Sequence, residues 1–130
     1  SSMIFTSYKK TFNPNLFYFY TSANSGVSET DIELAIYEEL DKIKSSGITE
    51  KELQKIKNQK LMEFYGQIET INGKSNNLGT YELFFGDYKE MFEAPAKFDK
   101  VTIEDVKNVA NKYFKKSNRT VGVLKTNVED

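Results

Sequence analysis

Two helix starts built on the same device constrain this chain more than anything else in it. Ile48-Thr49 with Glu52-Leu53, and Val101-Thr102 with Asp105-Val106, each place a hydroxyl at the N-cap and a carboxylate three residues later, flanked by apolar residues at N′ and N4. The hydroxyl accepts from the N3 amide, the carboxylate accepts from the N-cap amide, and the apolar pair staples the incoming chain. A chain punctuated in this way is helical from about residue 49 and again from about 102.

Other helices fill the space around those two points. A start near Thr30, with Glu33 at capping-box spacing, leads a stripe of Ile32, Ala35, Ile36, Leu40 and Ile43 to a glycine cap at Gly47. From Thr49 the apolar face is Leu53, Ile56, Leu61, Phe64 and Ile68, and Asn72-Gly73 reads as a break. A further helix is expected from about Ser75 to Phe85, closed by Gly86-Asp87. A short one with Tyr88, Met91 and Phe92 follows, expected to stop at Pro95. The last helix carries Val106, Val109, Ala110, Tyr113 and Phe114, has Lys112, Lys115 and Lys116 in its final turns, and ends by Asn118.

Strands occupy the two ends. Met3 to Lys9 is followed by a reversal at Asn13-Pro14-Asn15. Leu16 to Thr21 then forms the clearest strand by aromatic and β-branched content. That strand is apolar at both alternating positions, which suits a strand covered on both faces, or one with one face on a core and the other lining a cavity. Thr120 to Leu124 reads as a closing strand (about 119–125) and Thr126 to Asp130 as a tail. The expectation is an α+β fold: a hairpin over 3–22, helices over about 30–116, and an antiparallel sheet of about three strands with four to five helices on one face. At 130 residues the chain is one domain by size, and a compact one would bury roughly two-thirds of its unfolded surface. Ser1-Ser2-Met3 is no signal peptide and opens almost inside the first strand. The expectation is a strand and helix lying upstream, and a sheet edge that needs a partner.

The chain has no His, Cys or Trp and a formal net charge of −1. Its residues therefore supply no thiolate nucleophile, no Ser-His-Asp triad, no H-E-x-x-H zinc site and no disulfide. The charge balance argues against nucleic acid as a partner, and no apolar run is long enough for a membrane span. Glu29-Asp31-Glu33 and Glu38-Glu39-Asp41 read as a solvated helix face. Phe17 to Tyr20 read as part of a sheet core before a stacking platform. No phosphate-cradling glycine motif occurs. No catalysis is expected from these residues alone.

Several stretches carry a resemblance. They are Asn13-Pro14-Asn15-Leu16-Phe17, then Gly47-Ile48-Thr49 with Glu52-Leu53 and Ile56-Lys57, then Leu78-Gly79 and Phe85-Gly86-Asp87. Val101-Thr102-Ile103-Glu104-Asp105-Val106, Ala110-Asn111-Lys112-Tyr113-Phe114 and Thr120 to Leu124 complete the set. In this order and spacing, over roughly Ile4 to Thr126, the chain resembles the C-terminal half of an insulinase/pitrilysin zinc metallopeptidase domain, the family of the mitochondrial processing peptidases. The resemblance implies a processing-peptidase-like metallohydrolase half-domain, with residues 1–130 forming a single non-catalytic unit. Family domains pair two related α+β halves and close in clamshell fashion around a peptide.

In that family zinc sits on an inverted H-x-x-E-H motif and a distal Glu in another, N-terminal domain. With no His here, no metal ligand carries over, and zinc is expected only in the parent protein or a partner domain. Many members also donate a Tyr and an Arg from the non-zinc domain. The Tyr position would fall near Ser1 or Ser2 and the Arg before residue 1, so no catalytic residue carries over either. The implied role is part of a peptide-binding chamber wall in a zinc-dependent metallopeptidase, partnered by the N-terminal half-domain or a related subunit. Either Tyr18 and Tyr20 or Phe17 and Phe19 would face the chamber; the tyrosines are favoured because their hydroxyls tolerate a wet cavity. The alternative is a stand-alone or inactive-paralogue interaction module that associates through its sheet edge.

Overall fold

The computed structural model describes residues 3–9 and 11–125. Ser1-Ser2, with the family tyrosine position that falls there, Lys10, and the tail expected from Thr126 to Asp130 lie outside the described residues.

Strand β1 (Met3–Tyr8) pairs antiparallel with β2 (Phe17–Ser22), from Met3 opposite Ser22 to Tyr8 opposite Phe17. Cross-strand ring pairs, Phe5–Tyr20 at 5.1 Å and Tyr8–Phe17 at 6.5 Å between centroids, supply the side-chain contacts that hold such a ribbon. The Asn15 side chain ties the reversal: its amide donates to the Lys9 carbonyl at 3.2 Å, and its Oδ1 accepts from the Leu16 amide at 2.8 Å.

Five helices follow: α1 (Glu29–Ser46), α2 (Glu50–Glu69), α3 (Ile71–Phe85), α4 (Glu90–Asp99) and α5 (Ile103–Tyr113), with a 3₁₀ turn at Lys116–Asn118. Both capping boxes form as the sequence requires. Thr49 Oγ1 accepts from the Glu52 amide at 3.2 Å while the Thr49 amide donates to Glu52 Oε2 at 2.8 Å. Thr102 and Asp105 repeat this at 3.1 and 2.9 Å. Those hydrogen bonds hold the Glu52 and Asp105 carboxyls below the ordinary carboxylate range. Gly47 closes α1 at φ 75° and Gly86 closes α3 at φ 74°.

The structure corrects four boundaries. The cap of α1 is Ser28, whose Oγ accepts from the Thr30 amide at 3.2 Å, so Thr30 is already helical. The break between α2 and α3 is Thr70, not Asn72-Gly73. Gly73 lies inside the first turn of α3, where an added Cβ would stand 1.8 Å from the Gln67 carbonyl oxygen. A glycine is what lets two long helices turn on one residue here. Pro95 does not stop α4, which runs on to Asp99; fully buried Met91 and nearly buried Ala94 anchor it against α2 and α3, and packing overrides the local cost of proline. Finally, α5 ends at Tyr113 rather than near Asn118.

The closing strand expected at 119–125 is not formed, and the described sheet has two strands rather than three. The composition of Thr120 to Leu124 suits a strand, but a strand exists only beside a neighbour that completes its ladder. This segment instead runs back along α1. The Arg119 guanidinium lies 3.7 Å over the Tyr37 ring, and Lys125 Nζ meets Glu29 Oε1 at 2.5 Å.

Helices pack mainly on helices: α1 on α5, α2 on α3 and α4, and α3 on α4. The buried cluster of Phe64, Met91 and Ala94 is flanked by Ile68, Leu78, Tyr81 and Phe98. The sheet is not roofed as expected; rings tether it to the helices at Phe17 and Phe19 on Phe114, with the hairpin-loop residue Phe12 stacked on Phe84. The chain exposes 10603 Å². A compact monomer of its mass would expose about 7,000 Å², so this one hides about half, not two-thirds, of its unfolded surface.

A candidate peptide-contact face

The alternation of β2 divides its aromatic residues between two faces. Phe17 and Phe19 share one face with Ile4, Thr6 and Tyr8 of β1, as the pairing register dictates. Their rings lie 5.1 Å apart, and both meet Phe114 edge-on, at 5.3 and 5.8 Å. Phe114 is presented by the C-cap of α5, so the Phe17–Phe19 end of this face meets the helical part of the chain there.

Tyr18 and Tyr20 fall on the opposite face with Met3, Phe5 and Ser7. Their exposures are 53 % and 56 %, against 45 % and 36 % for Phe17 and Phe19, the two residues that meet Phe114. The strand residues of the tyrosine face include no charged side chain. The face presents ring surface and phenol hydroxyls, which can hold an extended polypeptide by apolar contact and hydrogen bonds. Among the described residues no cluster of His, Cys, Asp or Glu could hold a metal ion, and no described helix is long and apolar enough to cross a membrane.

Two contacts elsewhere in the molecule had no signal in periodicity. Phe114 reads in sequence as the end of an apolar helix stripe; its function as the sheet anchor depends on the helix ending one residue earlier. Arg119, the only arginine of the chain, packs on Tyr37, whose hydroxyl hydrogen-bonds Glu33. Burial, and then that hydrogen bond, raise the Tyr37 hydroxyl above the usual phenol range.

Residues 1–60 match the model of the Peptidase M16 inactive domain. Over 125 residues, 96 % of this chain, the sequence is 26 % identical to the zinc protease PqqE of Helicobacter pylori. The crystal structure of a protease from Helicobacter pylori shares the fold with a TM-score of 0.80, at 25 % identity over 90 % of this chain. The chain is thus similar to M16 peptidases, and in residues 1–60 to their inactive domain. It spans 28 % of the length of each of these relatives. The residues matched by the family model take in the hairpin, α1 and the Thr49 capping box.

Proposed function

We propose that residues 1–130 form a non-catalytic half-domain of a zinc-dependent metallopeptidase and supply part of the wall of its peptide-holding chamber. Zinc and the hydrolytic residues belong, in this reading, to another half-domain or to a related subunit, and the substrate is a peptide. Tyr18 and Tyr20 contact that peptide. The observation that supports this most is the open, uncharged tyrosine face on a hairpin whose other face is anchored by Phe114.

The test uses the whole chain and fluorescent casein as an extended-polypeptide probe. Anisotropy should show binding that falls when Tyr18 and Tyr20 are both replaced by Ser, and no cleavage should appear with or without added zinc. Zinc-dependent turnover that survives purification, or binding indifferent to both tyrosines, would sink the proposal.

A further inference from the structure

The corner between α2 and α3 contains a reactive pair that its own geometry requires. The two helices turn on Thr70, and Gly73 lies so close to α2 that a Cβ would stand 1.8 Å from the Gln67 carbonyl oxygen. The residue before that glycine is Asn72, which is exposed and whose side chain has no hydrogen-bond partner among the described residues. An asparagine followed by glycine is open to attack on its side-chain amide by the next backbone nitrogen, because glycine has no Cβ to shield that nitrogen. Other asparagines are placed differently. Asn13 precedes Pro14, whose nitrogen has no hydrogen to lose. The side chains of Asn15 and Asn111 are engaged with backbone groups, and Asn108 precedes the β-branched Val109.

The hydrogen bonds of the corner oppose the same reaction. The Gly73 amide donates to Thr70 Oγ1 at 3.0 Å, and the Lys74 amide donates to the Thr70 carbonyl at 2.9 Å. The attacking nitrogen must give up its hydrogen, which the Thr70 hydroxyl holds. Ring closure also needs Asn72 Cβ and the Gly73 nitrogen nearly eclipsed about the Cα–C bond, and helical backbone sets them apart. We infer that Asn72 is a site of spontaneous deamidation gated by opening of the first turn of α3, with the Thr70 hydroxyl as the gate. In the open state the Gly73 nitrogen bonds to Asn72 Cγ, the Cγ–Nδ2 bond breaks, and ammonia leaves with the hydrogen from Gly73. Water then opens the cyclic imide at either carbonyl, giving aspartate or isoaspartate, with nothing oxidised or reduced. Aspartate suits the first turn of α3, which has no acidic residue and presents the positive end of the helix. Isoaspartate adds a carbon to the main chain at the corner itself. None of this involves the hairpin, so it stands or falls separately from the chamber-wall proposal.

The test incubates the full chain in mildly alkaline buffer, folded and in urea, and follows conversion at Asn72 and Asn111 by peptide mapping with mass spectrometry. Conversion at Asn72 should be at least about tenfold faster in urea, since the folded chain reacts only from its opened fraction. Folded Thr70→Ala should convert about fivefold faster than the parent, the factor that an N-cap is worth in the opening equilibrium. Thr70→Ser keeps the hydroxyl and should restore the parental rate. Asn111, in α5, should keep its rate in all the folded chains. Equal rates at Asn72 in folded and urea-treated chain, a parental rate in Thr70→Ala, or a serine that does not restore protection would each overturn the inference. So would Asn111 accelerating together with Asn72, which would place the gate in unfolding of the whole chain.

Discussion

The α2–α3–α4 unit and the remainder of the molecule differ in how much apolar surface they close. In the first, Phe64, Met91 and Ala94 close on one another, and Ile68, Leu78, Tyr81 and Phe98 pack round them. In the second, the hairpin with α1 and α5, Ala110 is the buried apolar residue, while Ile4, Phe5, Phe17, Val109, Tyr113 and Leu124 stay open. Both halves carry well-formed helix starts and regular backbone, so local sequence signals do not account for the difference. The first half holds the larger buried cluster, although Met62, Ile71, Leu83 and Phe92 stay open on its outside. The second buries little beside Ala110 and leaves its hairpin rings open.

That contrast can be broken hardest at Met91, which has no exposed surface. Met91→Ala should cost about 2–5 kcal/mol in urea unfolding, the range for emptying a filled core site. Phe17→Ala removes a larger ring, but from a site 45 % exposed, and should cost clearly less than the 3–5 kcal/mol of a buried phenylalanine. If the two variants lose the same stability, the distinction between a closed and an open half fails.

Glycines sharpen it next. At Gly73→Ala the new methyl meets the Gln67 carbonyl, and about 1–3 kcal/mol should be lost to strain. Gly66 and Gly79 sit within α2 and α3 with open space where a Cβ would go. Alanine at either should stabilise by about 0.5–1 kcal/mol, since glycine is a poor helix residue and nothing in this chain needs its smallness there. Thermal melts of the three variants give the signs directly.

The capping boxes make a smaller and pH-dependent contribution. Thr49→Ala and Thr102→Ala should each cost about 1 kcal/mol near neutrality. Glu52 and Asp105 have carboxyls held below their ordinary range by the N-cap hydrogen bonds. A carboxyl with a depressed folded pKa contributes stability above its unfolded pKa and loses it as pH falls through the folded value. The acid limb of stability against pH, below the ordinary carboxylate range, should therefore flatten in the doubly substituted Glu52→Gln, Asp105→Asn chain. An unchanged acid limb would show that the boxes contribute nothing beyond geometry.

How far the sequence reveals this fold depends on whether a feature is local. The Thr49 and Thr102 boxes, the reversal at Asn13-Pro14-Asn15 and the glycine caps at Gly47 and Gly86 rest on contacts within a few residues, and each stands where the sequence implies. Pro95 is the opposite case: locally it stops a helix, and only the burial of Met91 and Ala94 against other helices carries α4 past it. Gly73 reads as a breaker because a turn that needs glycine and a helix start that needs glycine look alike in one dimension. Thr120 to Leu124 has strand composition, but its ladder depends on a neighbour that its own residues do not specify. The division of β2 into a tyrosine face and a phenylalanine face follows from alternation alone; which of them meets the helical part of the chain is decided by Phe114, about a hundred residues away along the chain.

The smallest expected effect on stability is also the most informative about function. Tyr18 and Tyr20 are more than half exposed on the face away from Phe114, so replacing both by serine should change the unfolding free energy by no more than about 1 kcal/mol, as for substitutions away from a core. Phe19→Ser, one residue away on the anchored side, loses its edge-on contact with Phe114 at 5.8 Å and should cost more than the two tyrosines together. If the tyrosine face is the chamber wall, the orders of effect invert between assays: the tyrosine pair dominates polypeptide binding and Phe19 dominates stability. Urea unfolding and casein anisotropy on the same variants separate the two. Parallel losses in both assays would mean that the hairpin acts on binding only through its own stability, and that the face chosen here has no direct contact with the peptide.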